Sequence, residues 1–371
     1  MFIFHRTEED NVSLPKEKRG MFISYIELSK YLKGKSVSEG KQAINKMVSN
    51  VDDLGFTMIL LQVRTFSDAI YDSSIFPWSA TISSEEGVSP GYDILDIFIQ
   101  CAEKKNIEVY AWINPYRIRG DTDISDISTS NPAYQYLNTR VVEVSEGVFF
   151  NPAREETRDL IVSGVEEIVK NYDVSGVLFD DYFYPSTTID SEEYEEYQKS
   201  HSSISIDDFR LSQVTELIQR VYKVCHRYGV LFGISPDGNI DNNYQKHYAD
   251  VRLWGSSFGY VDFLMPQIYY GFYNEAKAFF SVLEEWESIS KKVDLLPVLA
   301  FYKVGMVDNF AKSGSLEWIE NDDIIMREVL LTRNLEQYQG FSLFRYDYLF
   351  DENLHTTTTM SEIKNMKKIL K

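Results

Sequence analysis

Basic residues are in short supply in this sequence. Its 371 residues include 37 Lys and Arg against 57 Asp and Glu, a formal net charge of −20 with His neutral. No run of Lys and Arg supplies the local patch that a phosphate backbone requires, so nucleic acid is excluded as an expected partner. An anionic membrane surface is excluded on the same ground. Cysteine is scarcer still. Cys101 and Cys225 are too few for a disulfide framework or a four-cysteine metal site. Both fall inside apolar helical patterns, where a thiol behaves as a small core residue. No apolar stretch approaches the ~20 residues that span a bilayer, so no membrane insertion is expected. Met1–Arg6 is too short for the apolar region of a secretion signal. The expectation is a cytoplasmic protein or an exported one whose leader has been removed.

Several chemistries lack their signatures. His5, His201, His226, His247 and His355 show no His-x-His or His-Glu-x-x-His spacing, so no metal site is expected. No Gly-x-Gly-x-x-Gly and no Walker loop occurs, so no nucleotide cofactor is expected. Gly255-Ser256-Ser257-Phe258-Gly259 matches Gly-x-Ser-x-Gly. A nucleophile elbow needs a strand before it and a helix after it, and here the pattern reads in the reverse order.

What is present is a globular composition, 44% hydrophobic and 25% charged, with an unusual 14% aromatic share carried by 25 Tyr and 23 Phe. Apolar, β-branched or aromatic runs of strand length recur at Gly20–Glu27, Thr57–Arg64, Glu108–Asn114, Gly176–Tyr182, Val230–Ser235, Val261–Tyr269, Val293–Phe301 and Gly340–Tyr346. They are near-continuous rather than alternating, as strands covered on both faces are. Helical patterns lie between them: Lys41–Leu54, Tyr92–Lys105 with Asp93 as N-cap, Arg154–Tyr172, Ile206–Tyr228, a weaker Tyr244–Trp254, Glu275–Lys291, Asp322–Tyr338 and the segment from Met360. Strand then helix, about eight times, predicts an α/β protein, a (β/α)8 TIM barrel with long loops after strands three and four. At ~150 residues per domain the length alone allows two or three domains. No linker divides the chain, so one barrel domain over 1–371, with its core at about 17–350, is expected.

In such a barrel the chemistry sits at the C-terminal ends of the strands. Strand two ends Gln62-Val63-Arg64, with Asp68 and Tyr71 beyond it. Strand three ends Trp112-Ile113-Asn114-Pro115-Tyr116-Arg117, and strand four Asp180-Asp181-Tyr182-Phe183-Tyr184. Strand five delivers Ser235-Pro236-Asp237, strand six Gln267-Ile268-Tyr269-Tyr270, and strand eight Arg345-Tyr346-Asp347. Asp180 and Asp181 are the sharpest feature. Two adjacent carboxylates in a low-dielectric mouth cannot both ionise cheaply, so one retains a proton, as a general acid must. An N-cap or surface turn would also place Asp after a strand. A setting rich in Tyr at the end of strand four favours catalysis. Trp78, Trp112, Tyr116, Tyr182, Tyr184, Tyr269 and Tyr270 lie in or beside these loops, and flat amphipathic rings suit sugar faces.

These strand ends together resemble glycosyl-hydrolase-like family 10, a group of bacterial (β/α)8 barrels. The stretches that carry the resemblance are Arg19–Tyr25, Gln62–Arg64, Tyr71 through Trp78, Pro90–Asp93, Ala111–Arg117, Phe150–Pro152, Tyr172 through Pro185, and Pro266–Tyr269. Phe22 stands where Trp is usual, and Asp237 where the family tends to carry an apolar residue. The resemblance implies hydrolysis of β-linked envelope glycans, with peptide-free peptidoglycan strands as one substrate class. It also implies that many members are exported. A pair of adjacent acids resembles the arrangement in barrel hexosaminidases, where the 2-acetamido oxygen of the sugar is the nucleophile. On that resemblance Asp180 orients the acetamido N–H, Asp181 is the general acid and Tyr269 binds the acetamido oxygen. Gln267 and Asn114 hold hydroxyls, and Arg64 or Arg117 meets a substrate carboxylate. Substrate contacts are further expected from Glu27, Gln62, Asp68, Tyr71, Trp78, Trp112, Tyr116, Tyr182, Tyr184, Asp237, Arg345 and Asp347. Two alternatives stay open: a glycosidase with separated acids, Asp181 with Glu27 or Asp347, and a non-catalytic carbohydrate-binding barrel. The expected partner in every case is an oligosaccharide or polysaccharide.

Overall fold

The computed structural model describes residues 17–137 and 141–370; Met1–Arg6, with His5, lie outside them. All eight expected strands form: β1 (Lys18–Ile23), β2 (Met58–Arg64), β3 (Glu108–Ile113), β4 (Gly176–Phe179), β5 (Leu231–Ile234), β6 (Phe263–Leu264 and Gln267–Ile268), β7 (Asp294–Leu295 and Val298–Leu299) and β8 (Gly340–Leu343). Neighbours in sequence pair in parallel, and β8 returns to β1 with Lys18 opposite Gly340. The sixth and seventh strands were expected to be continuous but are each broken. Pro266 and Pro297 sit at the breaks, where a residue without an N–H cannot continue the ladder. The two pieces of β6 pair with the two pieces of β7, so the ring of strands closes.

The near-continuous apolar runs serve two layers. Met58, Leu60, Tyr110, Leu178, Phe263 and Val298 fill the barrel interior. Their neighbours Ile59, Leu61, Ala111, Val177 and Phe179 pack outward beneath the helices. Because side chains alternate with period two, the interior register Met58–Leu60 continues to Gln62, Tyr110–Trp112 to Asn114, and Leu178 to Asp180. The barrel's own pleat therefore carries these polar side chains to its C-terminal mouth.

Most helices match their patterns. The Asp93 side chain accepts from the Asp96 amide and caps the helix Ile94–Glu103. The helix Ile206–Arg227 is followed by Gly229 at φ 72°, which only a residue without Cβ adopts freely. Cys225 is buried and Cys101 half-buried in these helices. The weak segment before β6 resolves into two short helices, Ile240–Gln245 and Val251–Ser256. The Gly255–Gly259 motif thus follows a helix and precedes a strand, the wrong order for an elbow.

Further features depart from the sequence pattern. Strand β1 stops at Ile23, because Ser24 and Glu27 form a capping box that opens a helix at Tyr25–Leu32. Glu27 therefore lies in a helical turn and not on a strand. The long interval after β3 folds as a small antiparallel sheet, Arg117–Arg119, Val141–Val144 and Gly147–Phe150. The interval after β4 carries the helix Ser191–Gln198, and residues 65–93 after β2 form a third long loop, pinned by an Ala69–Trp78 bridge. Among the described residues no helix is long and apolar enough to cross a membrane.

Candidate active site

A cavity of about 300 Å³ opens at the C-terminal mouth of the barrel. It gathers nine of the candidates from sequence: Gln62, Trp112, Asn114, Arg117, Asp180, Asp181, Tyr182, Gln267 and Tyr269. Asp180 and Asp181 are the only carboxylates lining it among the described residues. Asp180 is the deeper, 4% exposed. Its Oδ2 accepts from Trp112 Nε1 at 3.0 Å, while its buried Oδ1 has no partner. Burial and the adjacent Asp181 push its pKa well above the usual carboxylate range. Asp181 is half-buried and its Oδ1 accepts from Gln267 Nε2 at 3.2 Å. The same amide nitrogen donates to the Ser235 carbonyl at 2.9 Å, which fixes the Gln267 side chain. Burial raises the Asp181 pKa, the charge of His247 opposes that rise, and Asp237 adds to it. Both shifts favour retention of a proton by the pair, more strongly by the deeper Asp180.

Tyr269 stands across the cavity, its ring packed against Tyr302 and Phe344 at centroid distances of 5.6 and 5.8 Å. Burial keeps its phenol neutral, and its hydroxyl has no hydrogen-bond partner among the described residues, so it is a donor without an acceptor. Tyr182 is 41% exposed, yet the partial burial of its ring in the cavity wall and the two aspartates push its phenol up to about 12. The Arg117 guanidinium lies 5.4 Å from the Tyr182 ring centroid and 5.4 Å from that of Phe66, and its Nη2 donates to the Glu146 carbonyl. Gln62 Oε1 accepts from the Tyr25 backbone amide at 3.0 Å, and Asn114 Oδ1 accepts from the Arg117 backbone amide at 3.3 Å. Both side-chain amides are held in place before any ligand arrives.

The remaining candidates lie elsewhere. Arg64 is 1% exposed and its guanidinium stacks on Phe76 at 3.6 Å, beneath Gly164 of the helix Glu155–Asn171. The cause is a bulge between Gln62 and Arg64, which turns Arg64 out of the interior register. Arg345 pairs with Glu27 at 2.6 Å, and Glu27 is fully buried. Asp347 accepts from Lys30 and Tyr31, both at 2.8 Å. Tyr71 packs edge-on against Tyr172, and Tyr116 is fully buried. The Tyr184 hydroxyl donates to Asp190 at 2.6 Å, and Trp78 is in its bridge with Ala69. Asp237 is engaged by the Asn239 amide and by Asn242, beside Gln267. Asp68 lines a neighbouring groove. Sequence reading passed over Ser24, Tyr25, Ile26 and Phe344 as lining residues. The first three enter with the unforeseen helix, and Phe344 reads as core until its position at the end of β8 is known. His247 was also passed over; it sits 4.0 Å from Asp237, and nothing in its spacing marks it.

The sequence profile described as Glycosyl hydrolase-like 10 matches residues 17–315. The glycosyl hydrolase YngK of Bacillus subtilis (strain 168) is 35% identical over 335 residues, which is 83% of this chain and 63% of the relative. This chain thus spans less than two thirds of that relative's length. The glycosyl hydrolase DigH of Escherichia coli (strain K12) is 30% identical over 341 residues, 83% of this chain and 76% of the relative. Among solved structures, the PgaB (BpsB) glycoside hydrolase domain from Bordetella bronchiseptica superposes with a TM-score of 0.54 at 9% identity, over 95% of this chain and 98% of that one. A family 20 exo-β-N-acetylglucosaminidase from Vibrio harveyi gives 0.55 at 12% identity, over 94% of this chain and 54% of that one. Both share the barrel fold with this chain.

Proposed function

From the premise that this chain belongs to the glycosyl hydrolase-like 10 family, we propose that it hydrolyses glycans of β-linked N-acetylated amino sugars, of the peptidoglycan-strand type, with the substrate's 2-acetamido oxygen as nucleophile. The observation that carries this reading is the isolation of Asp180 and Asp181 as the only carboxylates lining the cavity among the described residues. A mechanism with separated acids lacks its second carboxylate there. Glu27 is held by Ser24 and Arg345, and Asp347 by Lys30 and Tyr31, and neither carboxylate lines the cavity. Adjacent acids suffice when the sugar itself supplies the nucleophile.

Asp180, the deeper carboxylate lining the cavity, is the acceptor for the acetamido N–H. That charge-assisted contact favours ionised Asp180, so the proton of the pair passes to Asp181. Tyr269 donates to the acetamido oxygen and aligns it with the anomeric carbon. That oxygen attacks, the glycosidic C–O bond breaks, and Asp181 delivers its proton to the leaving oxygen. Water then opens the cyclic intermediate and Asp181 accepts the proton back. Arg117 is the one guanidinium lining the cavity among the described residues, and it would meet a carboxylate-bearing sugar.

The decisive experiment is product analysis after incubation with peptide-free peptidoglycan strands, chitin oligomers and neutral glucans. New reducing ends are expected from the first two, with inhibition by a thiazoline. Release from glucans alone would overturn the reading, as would the absence of release from every glycan.

A further inference from the structure

Beside the active-site cavity runs a groove of about 660 Å³, larger than the cavity itself. Tyr25 and Ile26 line both spaces, so the two are contiguous. One wall is the helix Tyr25–Leu32, presenting Ser29, with Lys33 just past its end; the other is the strand Arg117–Arg119 and the turn to Asp121. Phe66 stands edge-on to Tyr25 at 5.7 Å, and Ile26 is 43% exposed, which gives the groove an apolar and aromatic strip. Asp68 is 6% exposed on its floor, and burial pushes its carboxyl up to about 6. Tyr182 is shared between the active-site cavity and a further cavity of about 250 Å³.

The charges of the groove are largely spent on the protein. Lys30 pairs with Asp347 and Asp351, Arg119 with Asp121 and Asp126, and Glu86 accepts from the Ser128 amide and the Asn131 side chain. In a body of net charge −20 this leaves a nearly neutral channel of hydrogen-bonding groups with an apolar strip. That chemistry fits hydroxyls and C–H faces, and it does not fit an ion.

The geometry points to the groove as the binding arm for further sugars of the same glycan, so that the chain is cut internally rather than trimmed from an end. This rests on the glycosidase reading above. The active-site cavity shares Tyr25 and Ile26 with the groove and Tyr182 with the smaller cavity, so a polymer bound at Asp180 and Asp181 has adjoining space to continue into. Asp68 is the hydrogen-bonding group on the floor of the larger arm.

Chitin oligomers and peptide-free peptidoglycan strands of increasing length test this. With the unaltered protein, kcat/KM is expected to rise with length, and the first products from long strands are oligomers of intermediate size. Ser29→Trp and Asp121→Trp obstruct the groove from opposite walls without lining the active-site cavity. Each is expected to lower kcat/KM on long strands about tenfold, and to leave the shortest cleaved oligomer within about twofold. Calorimetry with Asp181→Asn gives a readout independent of turnover: affinity rises with length, and adding Ser29→Trp abolishes the rise. Length-independent rates, or release of end sugars alone, would overturn the inference and leave the glycosidase reading intact. Length-dependent binding without hydrolysis would overturn the glycosidase reading and leave the groove intact. Absence of both would overturn both.

Discussion

Among the described residues two neighbouring acidic pairs can be set side by side, and one of them has the surroundings of a reaction site. Asp180 and Asp181 lie at the mouth of the barrel. Glu328, in the helix Ile324–Thr332, lies beside Glu362, in the helix Thr357–Ile369. Both glutamates are fully buried. Glu328 is raised well above the usual carboxylate range by burial and by the neighbouring Glu362, and neither of its oxygens has a partner. Glu362 is raised to about 7, although it accepts from the Met326 amide at 2.9 Å. By perturbed acidity alone, the two pairs look alike. The difference lies in what converges on them. The aspartates share a cavity with a neutral phenol, three oriented amides, a guanidinium and the Trp112 donor. The glutamates line none of the cavities described above and face only packed helices. A shifted carboxylate is thus a reporter of burial, and it becomes a candidate for catalysis only when a substrate-sized space and convergent polar groups accompany it.

The comparison can be broken by substitution at each pair. Asp181→Asn removes the proposed proton donor, and kcat is expected to fall about a thousandfold with binding of the glycan retained. Near-normal turnover would place the acid elsewhere. Next in size, Tyr269→Phe removes the donor to the acetamido oxygen and is expected to cost about a hundredfold in kcat. A loss confined to KM would instead make Tyr269 a binding contact only.

At the other pair the expected effect is on stability alone. Glu328→Met removes a buried carboxyl without partners and should stabilise the fold by about 2 kcal/mol near pH 8. The sign follows from the direction of the shifts. Folded pKa values above the ordinary 4.5 mean that both glutamates contribute fully below about 4.5 and destabilise as pH rises. Glu362 loses its contribution between 4.5 and about 7. The gain from Glu328→Met should therefore be larger at pH 8 than at pH 5 in urea unfolding, with turnover unchanged. Loss of turnover would show that the two pairs are coupled.

The smallest effect sharpens the active pair itself. His247 lowers the Asp181 pKa through its charge. His247→Gln should move the alkaline limb of the kcat profile to higher pH, and Asp237→Asn should move it lower. Shifts in the same direction from both substitutions would remove Asp181 as the group behind that limb.

Much of this was legible in the residues. The eight strands, their order and the placement of Asp180, Trp112, Asn114 and Gln62 at the mouth follow from near-continuous apolar runs and a period of two. Those signals are local, and each strand carries its own. The helix at Tyr25–Leu32 was hidden because Gly20–Glu27 reads apolar throughout, although Ser24 and Glu27 held the capping spacing. The turning of Arg64 was hidden because a bulge is a property of two strands paired together, not of either one. The pairing of Arg345 with Glu27 joins residues at opposite ends of the chain, which no local pattern encodes.

The sequence by itself determined the barrel and the acidic pair at the end of its fourth strand, because hydrophobic periodicity and strand polarity are written residue by residue. Only the tertiary structure decided which arginine remains at the cavity, which buried carboxylates open onto it, and that a groove continues from it. Those depend on the register between strands and on the space left between loops, quantities that exist only once distant segments have packed.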